Sequence, residues 1–137
     1  MTEKELCEAA VLAMSRAYAP YSGYKVGAAL LTESGKVYTG CNIENASFSP
    51  TVCAERTAFF KAVSEGERKF TAIAVCGGKN GEITGAFPPC GVCRQVMAEF
   101  CQPSFQVLVM TSADSFERYT LSELLPYAFT VPAESAE

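Results

Sequence analysis

Two continuous apolar segments constrain the fold of this chain more than any other feature of its sequence. Residues 70–76 and 105–110 lack the alternation of a strand that has one face in water, so we expect both to be strands buried on each side. Helical patterns separate these segments, and a sheet that is buried on both faces requires helices above and below it. The sequence therefore predicts an α/β fold with three layers, α/β/α.

The first part of the chain predicts a helix followed by a hairpin. Thr2 and Glu5 form the T-x-x-E capping box that often begins a helix. Residues 26–31 and 37–41 are strand-like segments on either side of a turn at 33–36, which is typical of an antiparallel pair. An antiparallel hairpin beside the later buried strands makes the expected central sheet a mixed one.

The rest of the chain predicts helices that follow loops. These elements are expected over 53–65, over 90–100 and, as a short helical turn, over 121–125. The length of 137 residues suits a single domain, 1–137. The tail after about residue 132 carries no pattern, and we expect it to be mobile.

The charge and composition exclude several classes of protein. The net charge is −4, and the sequence has no cluster of Lys and Arg that could hold phosphates, so a nucleic acid polymer is not an expected partner. The chain is 49% hydrophobic and can bury a core, yet no apolar run reaches the roughly 20 residues of a membrane helix. No signal peptide begins the sequence, and we expect a cytoplasmic protein without a membrane partner.

The absence of histidine restricts the chemistry further. Catalysis by Ser-His-Asp or Cys-His needs an imidazole base, so both are excluded, and a metal site would have to use Cys, Asp or Glu. An odd number of cysteines without a signal peptide favours reduced thiols over disulfides. The seven cysteines are Cys7, Cys41, Cys53, Cys76, Cys90, Cys93 and Cys101.

Three of these cysteines stand where a loop leads into a predicted helix. Cys90 and Cys93 are three residues apart, so their thiolates can share one zinc ion within a single helical turn. Cys53, at the start of the other helix, would be a third ligand, and three protein ligands leave the fourth position for water, as in catalytic zinc sites. The nearby Glu55 is then the candidate general acid/base, provided that Cys53 takes the cap or first-turn position of its helix.

The spacing of the cysteines leaves other functions open. A single C-x-x-C is a redox pair at least as often as half of a zinc site, and Cys101 is a candidate fourth ligand for a purely structural zinc. Cys41 and Cys76 fall within predicted strands and are expected to be ordinary core residues. Arg94 follows Cys93 and would either offset thiolate charge or pair with a surface carboxylate.

Several motifs in the chain resemble the zinc-dependent cytidine deaminases, in their small homotetrameric form with cysteine as the first zinc ligand. The likeness runs from about Tyr18 to Phe129. It is carried by Y-A-P-Y-S at 18–22, V-G-A-A-L at 26–30, G-C-N-I-E-N-A at 40–46, C-A-E at 53–55 and P-C-G-V-C-R-Q at 89–95. The resemblance implies a cytidine deaminase-like fold, one zinc ion per subunit and assembly as a homotetramer.

The resemblance also implies a role for each residue of the zinc motifs. Cys53, Cys90 and Cys93 would bind the zinc ion. Glu55 would take a proton from the attacking water, protonate N3 of the base and later help ammonia to leave. Arg56 would partly neutralise the charge of the thiolates.

Contacts with the substrate are implied in the first half of the chain. Asn42 and Glu44 would hydrogen-bond the ribose hydroxyls, and Ala54 of the zinc motif would also bind the substrate. The alternative for Glu44 is that its carboxylate only caps a turn within residues 42–45.

Three aromatic residues complete the implied site. Tyr24 would flank the base, and Phe48 and Phe129 would reach the pocket of a neighbouring subunit. The family commonly has Phe at position 24 and Tyr at position 48, so the exchange here leaves an apolar contact at Phe48 and removes any contact through a hydroxyl. Each of the three could instead serve only in packing.

The sequence therefore predicts a hydrolytic deaminase that converts free cytidine and deoxycytidine to uridine and deoxyuridine with release of ammonia, in pyrimidine salvage. A first alternative is a deaminase of a related cytosine nucleoside, because the blasticidin S deaminases resemble this chain in the zinc motifs. A second alternative is a non-catalytic protein in which zinc only joins two helices.

Overall fold

Nine helices and strands follow one another in the computed structural model, which describes residues 1–132. In chain order they are α1 (Glu3–Met14), β1 (Tyr24–Thr32), β2 (Val37–Cys41), α2 (Ala54–Ser64), β3 (Phe70–Lys79), α3 (Gly91–Phe100), β4 (Gln106–Ser112), β5 (Ser115–Thr120) and α4 (Leu121–Leu124). The mobility expected of the tail after residue 132 concerns residues outside the described range. Within that range no helix is long and apolar enough to cross a membrane.

The five strands form one mixed sheet in the order β2-β1-β3-β4-β5. The predicted hairpin is confirmed, because β1 and β2 pair antiparallel from Gly27 opposite Cys41 to Leu31 opposite Val37. β3 and β4 are the parallel pair, and α3 connects them. The expected central mixed sheet is therefore present.

The first helix begins as its sequence predicts and covers one face of the sheet. The hydroxyl of Thr2 accepts a hydrogen bond from the backbone N–H of Glu5, and the carboxylate of Glu5 accepts one from the N–H of Thr2. Gly27 lets the helix approach closely, since a Cβ atom there would lie 2.1 Å from the carbonyl oxygen of Ala10. The core on this face consists of Leu6, Cys7, Ala10, Met14, Ala29, Ala72, Ala74, Cys76, Leu108 and Met110.

The opposite face of the sheet carries α2, α3 and α4. Phe59 is fully buried at the centre of this core, with its ring centroid 5.1 Å from that of Phe70 and 6.1 Å from that of Phe105. Neighbouring residues of β1, β3 and β4 point alternately into the two cores, which explains why these strands are continuously apolar. The three predicted layers are confirmed.

The structure differs from the sequence-based expectation in two elements. β5 was not predicted, because its residues Ser115–Thr120 are mostly polar; it is an edge strand that pairs antiparallel with β4 through its backbone. β3 continues beyond the predicted end at Cys76, and its last residue, Lys79, lies opposite Tyr24 of β1. Two glycines at 77 and 78 suggested a loop there, but both are buried within the strand.

Candidate metal centre and active site

The beginnings of α2 and α3 bring three cysteines together. Cys53 is the N-cap residue of α2 and Cys90 is the N-cap residue of α3, each with an extended backbone conformation. Cys93 is the third residue of α3 and is buried. The ligand atoms of the three residues all lie within 4.8 Å of one another. Cys53 thus comes from the junction of a loop with α2, and Cys90 and Cys93 come from the junction of a loop with α3.

The spacing of the sulfur atoms fits a single zinc ion. The Sγ atoms of Cys53 and Cys90 are 3.8 Å apart, and those of Cys90 and Cys93 are 3.6 Å apart. Two thiolates bound at about 2.3 Å to one tetrahedral zinc would be about 3.8 Å apart. The set of three sulfur donors also suits zinc, which favours thiolate ligands. Cys101 lies at the C-cap of α3 and is not in this cluster, so it is not the fourth ligand.

The environment of the cluster favours a thiolate at Cys53. Interaction with the nearby Cys93 thiol, and a hydrogen bond from Nη2 of Arg56 at 3.4 Å, lower the pKa of Cys53 to about 5. The same contact with Cys53, together with burial, raises the pKa of Cys93. Cys53 caps α2 and Cys93 lies in the first turn of α3, and the unpaired N–H groups at both helix starts add positive potential. The site therefore favours the thiolate form of Cys53, which is the form that binds a metal ion.

Glu55 is a buried carboxyl group beside this cluster. It is the second residue of α2 and only 4% exposed. Burial raises its pKa to about 7, since a carboxylate is poorly solvated there. Because Cys53 occupies the cap position, Glu55 lies in the first turn after it, as the sequence analysis required. A group that gains and loses a proton near neutral pH is suited to general acid/base catalysis.

The two arginines next to the cysteines serve different partners. Arg56 donates to the sulfur of Cys53, and its Nε atom is buried without a hydrogen-bond acceptor among the described residues. Arg94 instead donates from Nε to the carbonyl oxygen of Pro89 and from Nη1 to that of Leu124, both at 2.7 Å. Neither acceptor is a carboxylate, so the described contacts differ from the surface ion pair that was one alternative for Arg94.

Asn42 and Glu44 lie where the chain leaves β2, and both already contact backbone groups. Oδ1 of Asn42 accepts from the N–H of Val26, and its Nδ2 donates to the carbonyl of Tyr24, both at 2.8 Å. The Glu44 carboxylate accepts from the backbone N–H groups of Tyr21 and Ser22 and from the Ser22 hydroxyl. These hydrogen bonds, that of the hydroxyl above all, hold the pKa of Glu44 below its usual value.

A surface hollow of about 340 Å³ lies beside Glu44. It is lined by Tyr21, Ser22, Glu44, Phe48 and Thr51. The Phe48 ring is 75% exposed and meets the edge of Tyr21, at 6.4 Å between ring centroids. The structure thus places Phe48 and Glu44 in one cavity.

The remaining predicted residues occupy three different settings. Tyr24 is half exposed and packs against Phe87, at 5.9 Å between ring centroids. Ala54 is fully buried as the first residue of α2. Phe129 is 73% exposed, and its carbonyl oxygen accepts a hydrogen bond from Gln95 of α3.

Two residues that position Cys53 were not identified from the sequence. The Thr57 hydroxyl lies 3.1 Å from the carbonyl oxygen of Cys41 and 3.2 Å from that of Cys53, so it connects β2 to the start of α2. Gly40 of β2 lies directly under the same turn, because a Cβ atom there would be 2.5 Å from the carbonyl oxygen of Ala54. In the sequence, the only local sign of the Thr57 and Gly40 contacts is that Thr57 lies four residues after the cap residue Cys53.

Comparison with known proteins adds independent evidence. Residues 1–109 match the family described as the cytidine and deoxycytidylate deaminase zinc-binding region. The chain is 52% identical to a cytidine deaminase of Sporosarcina psychrophila, over 86% of this chain and 84% of that protein. It is 49% identical to a cytidine deaminase of Halalkalibacterium halodurans, over 95% and 96%.

Solved structures agree with these sequence relatives. The fold is similar to that of a cytidine deaminase from Burkholderia pseudomallei, with a TM-score of 0.87, 49% identity and coverage of 94% of this chain and 100% of that chain. It is also similar to a cytidine deaminase from Mycobacterium tuberculosis, with a TM-score of 0.80, 36% identity and coverage of 96% and 99%.

Proposed function

The chain belongs to the cytidine and deoxycytidylate deaminase family, and we propose that it catalyses the zinc-dependent hydrolytic deamination of cytidine to uridine with release of ammonia. The observation that carries this proposal is the group of three cysteine sulfurs at zinc spacing, with the buried carboxyl group of Glu55 beside it. Deoxycytidine is the second proposed substrate.

Cys53, Cys90 and Cys93 would hold the zinc ion. When bound by three protein ligands, zinc supplies a nucleophilic water at neutral pH by lowering the pKa of that water to about 7. Three thiolates carry three negative charges and the zinc ion carries two positive ones, so one negative charge remains. Arg56 and the N-termini of α2 and α3 offset this remaining charge.

We assign the proton transfers to Glu55. Its carboxylate accepts a proton from the water as the oxygen bonds to C4 of the base, and it gives that proton to N3. It then moves the remaining hydroxyl proton to the amino nitrogen, so that the bond between C4 and nitrogen breaks, ammonia leaves and the carbonyl of uridine forms. Burial, which raises the pKa of this carboxyl group, favours its uptake of the proton that it then passes on.

Asn42 and Glu44 remain the proposed partners of the ribose hydroxyls. A carboxylate offers about four acceptor positions, and the Glu44 carboxylate uses three of them in the turn at Tyr21 and Ser22. The Asn42 amide has two donor hydrogens and spends one on the Tyr24 carbonyl. Glu44 therefore keeps one acceptor position, and Asn42 one donor hydrogen, for a hydrogen bond to a substrate hydroxyl. The other hydrogen bonds of each side chain fix its orientation.

The aromatic residues and Ala54 complete the proposed pocket. Ala54 begins α2 between Cys53 and Glu55, where its unpaired backbone N–H would face the substrate. Tyr24 would flank the base. Phe48 would contribute an apolar surface without a hydroxyl, and Phe129 would do the same from the C-terminal segment.

We also propose a homotetramer in which subunits share their sites. Large apolar side chains are exposed on α2, on α3 and in the segments that precede α2 and follow α4, and assembly would remove them from water. They are Phe48, Phe60, Val92 and Phe129. Phe48 and Phe129 would then reach a neighbouring pocket. Sedimentation equilibrium of the zinc-loaded protein tests this assembly, and a monomer would contradict it.

The substrate and the reduced cysteines also indicate where the enzyme acts. Recovery of cytidine and deoxycytidine as uridine and deoxyuridine is a step of pyrimidine salvage, which we propose as its role, in the cytoplasm. The seven cysteines are free in the described structure, in keeping with a reducing compartment.

A substrate panel tests the proposed activity. Zinc-loaded protein should release ammonia from cytidine and deoxycytidine, with the matching uracil nucleoside as product by chromatography. Turnover of blasticidin S alone would favour the related nucleoside deaminases. No turnover of any cytosine nucleoside by protein that holds zinc would favour a structural zinc site.

A further inference from the structure

Through its side chain, Arg94 connects the residue before the proposed zinc ligand Cys90 to the last residue of α4. Its backbone N–H donates to the carbonyl of Cys90 at 2.9 Å, which begins the hydrogen-bonding of α3. Its guanidinium donates from Nε to the carbonyl of Pro89 and from Nη1 to the carbonyl of Leu124, the last residue of α4, both at 2.7 Å. Hydrogen bonds from a charged donor at this distance are among the stronger ones in proteins.

The bond to Pro89 acts on the backbone of Cys90. The carbonyl of Pro89 and the nitrogen of Cys90 belong to one planar peptide group, so fixing the oxygen fixes the plane from which Cys90 extends. The ring of Pro89 is buried and restricts its own backbone. Cys90 itself is exposed, and its side chain makes no capping hydrogen bond, so its position depends on this backbone.

The bond to Leu124 anchors the same guanidinium on a second element. Leu124 is thirty residues further along the chain, and its neighbour Leu125 packs against the core under α2 and α3. The next residue of α3, Gln95, donates to the carbonyl of Phe129 at 2.9 Å. The side chains of Arg94 and Gln95 therefore attach residues 124–129 to α3, the helix that begins at the two cysteines Cys90 and Cys93.

The alternative that Arg94 is an ordinary surface charge does not fit its contacts. Within residues 1–132, the ion pairs are Lys36 with Glu67 and Arg118 with Glu3, and Arg94 belongs to neither. Its charge is directed to two carbonyl oxygens, one of them adjacent to a zinc ligand.

We propose that Arg94 is a positioning residue for the metal centre, which holds the backbone of Cys90 against α4 and so slows the release of zinc. This inference rests on the proposed function only for the identity of the metal. Removal of an outer partner of a metal ligand typically weakens metal binding about 10- to 100-fold, and we expect an increase of that size in the release rate.

The test is the rate of zinc transfer from loaded protein to an excess of a chromophoric chelator. We expect Arg94→Ala to release zinc about 10- to 100-fold faster than the parent. Arg94→Lys should recover part of the difference, since an ammonium can reach one of the two carbonyls. Arg68→Ala is the matched control, because Arg68 also donates to two carbonyls, that of Val63 near the C-terminal end of α2 and that of Glu67 just after this helix.

A second readout separates positioning from a general loss of stability. In cobalt-loaded protein the sulfur-to-cobalt absorption bands should shift in Arg94→Ala and remain as in the parent in Arg68→Ala. Equal release rates for the parent and both Arg94 variants would overturn the proposal. If Arg94→Ala does not fold, Arg94→Met, which keeps the length of the side chain and removes its donors, decides in its place, and parent-like release by that variant refutes the role. Failure of the parent to retain zinc would instead refute the proposed function.

Discussion

Replacement of Gly40 by alanine should disturb the metal centre from beneath. Gly40 lies in β2 below the first turn of α2, and its added Cβ would be 2.5 Å from the carbonyl oxygen of Ala54 and 2.6 Å from the backbone nitrogen of Ala58. Both contacts are with backbone atoms, so α2 would have to move by about 1 Å to restore ordinary contact distances. The moving turn begins at Cys53 and contains Glu55.

The expected effect has two parts. Overpacking of this kind typically lowers the free energy of unfolding by about 1–3 kcal/mol. A misplacement of about 1 Å at a catalytic group can cost about 100-fold in rate, so kcat/KM for cytidine should fall by that factor in the folded variant. Both quantities are measured on zinc-loaded protein, by urea titration and by continuous assay of cytidine loss at 25 °C.

Gly91→Ala is the matched control for stability. Gly91 is the first residue of α3, close to Cys90, and a Cβ atom there would meet nothing within 4 Å. We expect its unfolding free energy to stay within about 0.5 kcal/mol of the parent or to rise slightly, because alanine favours helix more than glycine does. Parent-like stability and activity of Gly40→Ala would refute the argument that this close approach positions the site.

Two further predictions concern a proposed metal ligand and a proposed substrate contact. Cys90→Ala should lose both zinc, by elemental analysis of the purified protein, and deaminase activity; full zinc occupancy would contradict ligation by Cys90. Ser22→Ala should raise the pKa of Glu44 toward the ordinary 4.5, because the Ser22 hydroxyl is the main cause of its lowered value. In the parent the hydrogen bonds to this carboxylate are complete above that pH and are lost as the pH falls through the lowered pKa. An NMR titration of the Glu44 carboxyl group measures both proteins, and an unchanged pKa in the variant would contradict the assignment.

The fold was predictable because its main signals are local. Continuous apolar segments identified β3 and β4, and the capping box at Thr2 identified the start of α1. β5 was not predicted from the sequence because an edge strand pairs through its backbone, so its side chains can be polar.

The candidate site was predictable only where its residues are close in sequence to a helix start. The positions of Cys53 and Cys90 as N-caps follow from their place at loop-to-helix junctions. The contacts of Arg94 with Leu124 and of Gln95 with Phe129 could not be predicted, since these acceptors are backbone carbonyls at least thirty residues away along the chain, and any residue type offers the same carbonyl. The close approach of α2 to Gly40 could not be predicted either, because it depends on how α2 packs on the sheet.

The most direct test of the account is the turnover of cytidine by Glu55→Gln beside the parent, with the zinc content of both measured. Glutamine keeps the shape of the side chain and cannot carry the proton. We predict that the variant retains its zinc and that its kcat falls by a factor of at least about 10² to 10⁴, the usual contribution of general acid/base catalysis. Equal turnover by the two zinc-loaded proteins would contradict the role of Glu55 and with it the proposed mechanism.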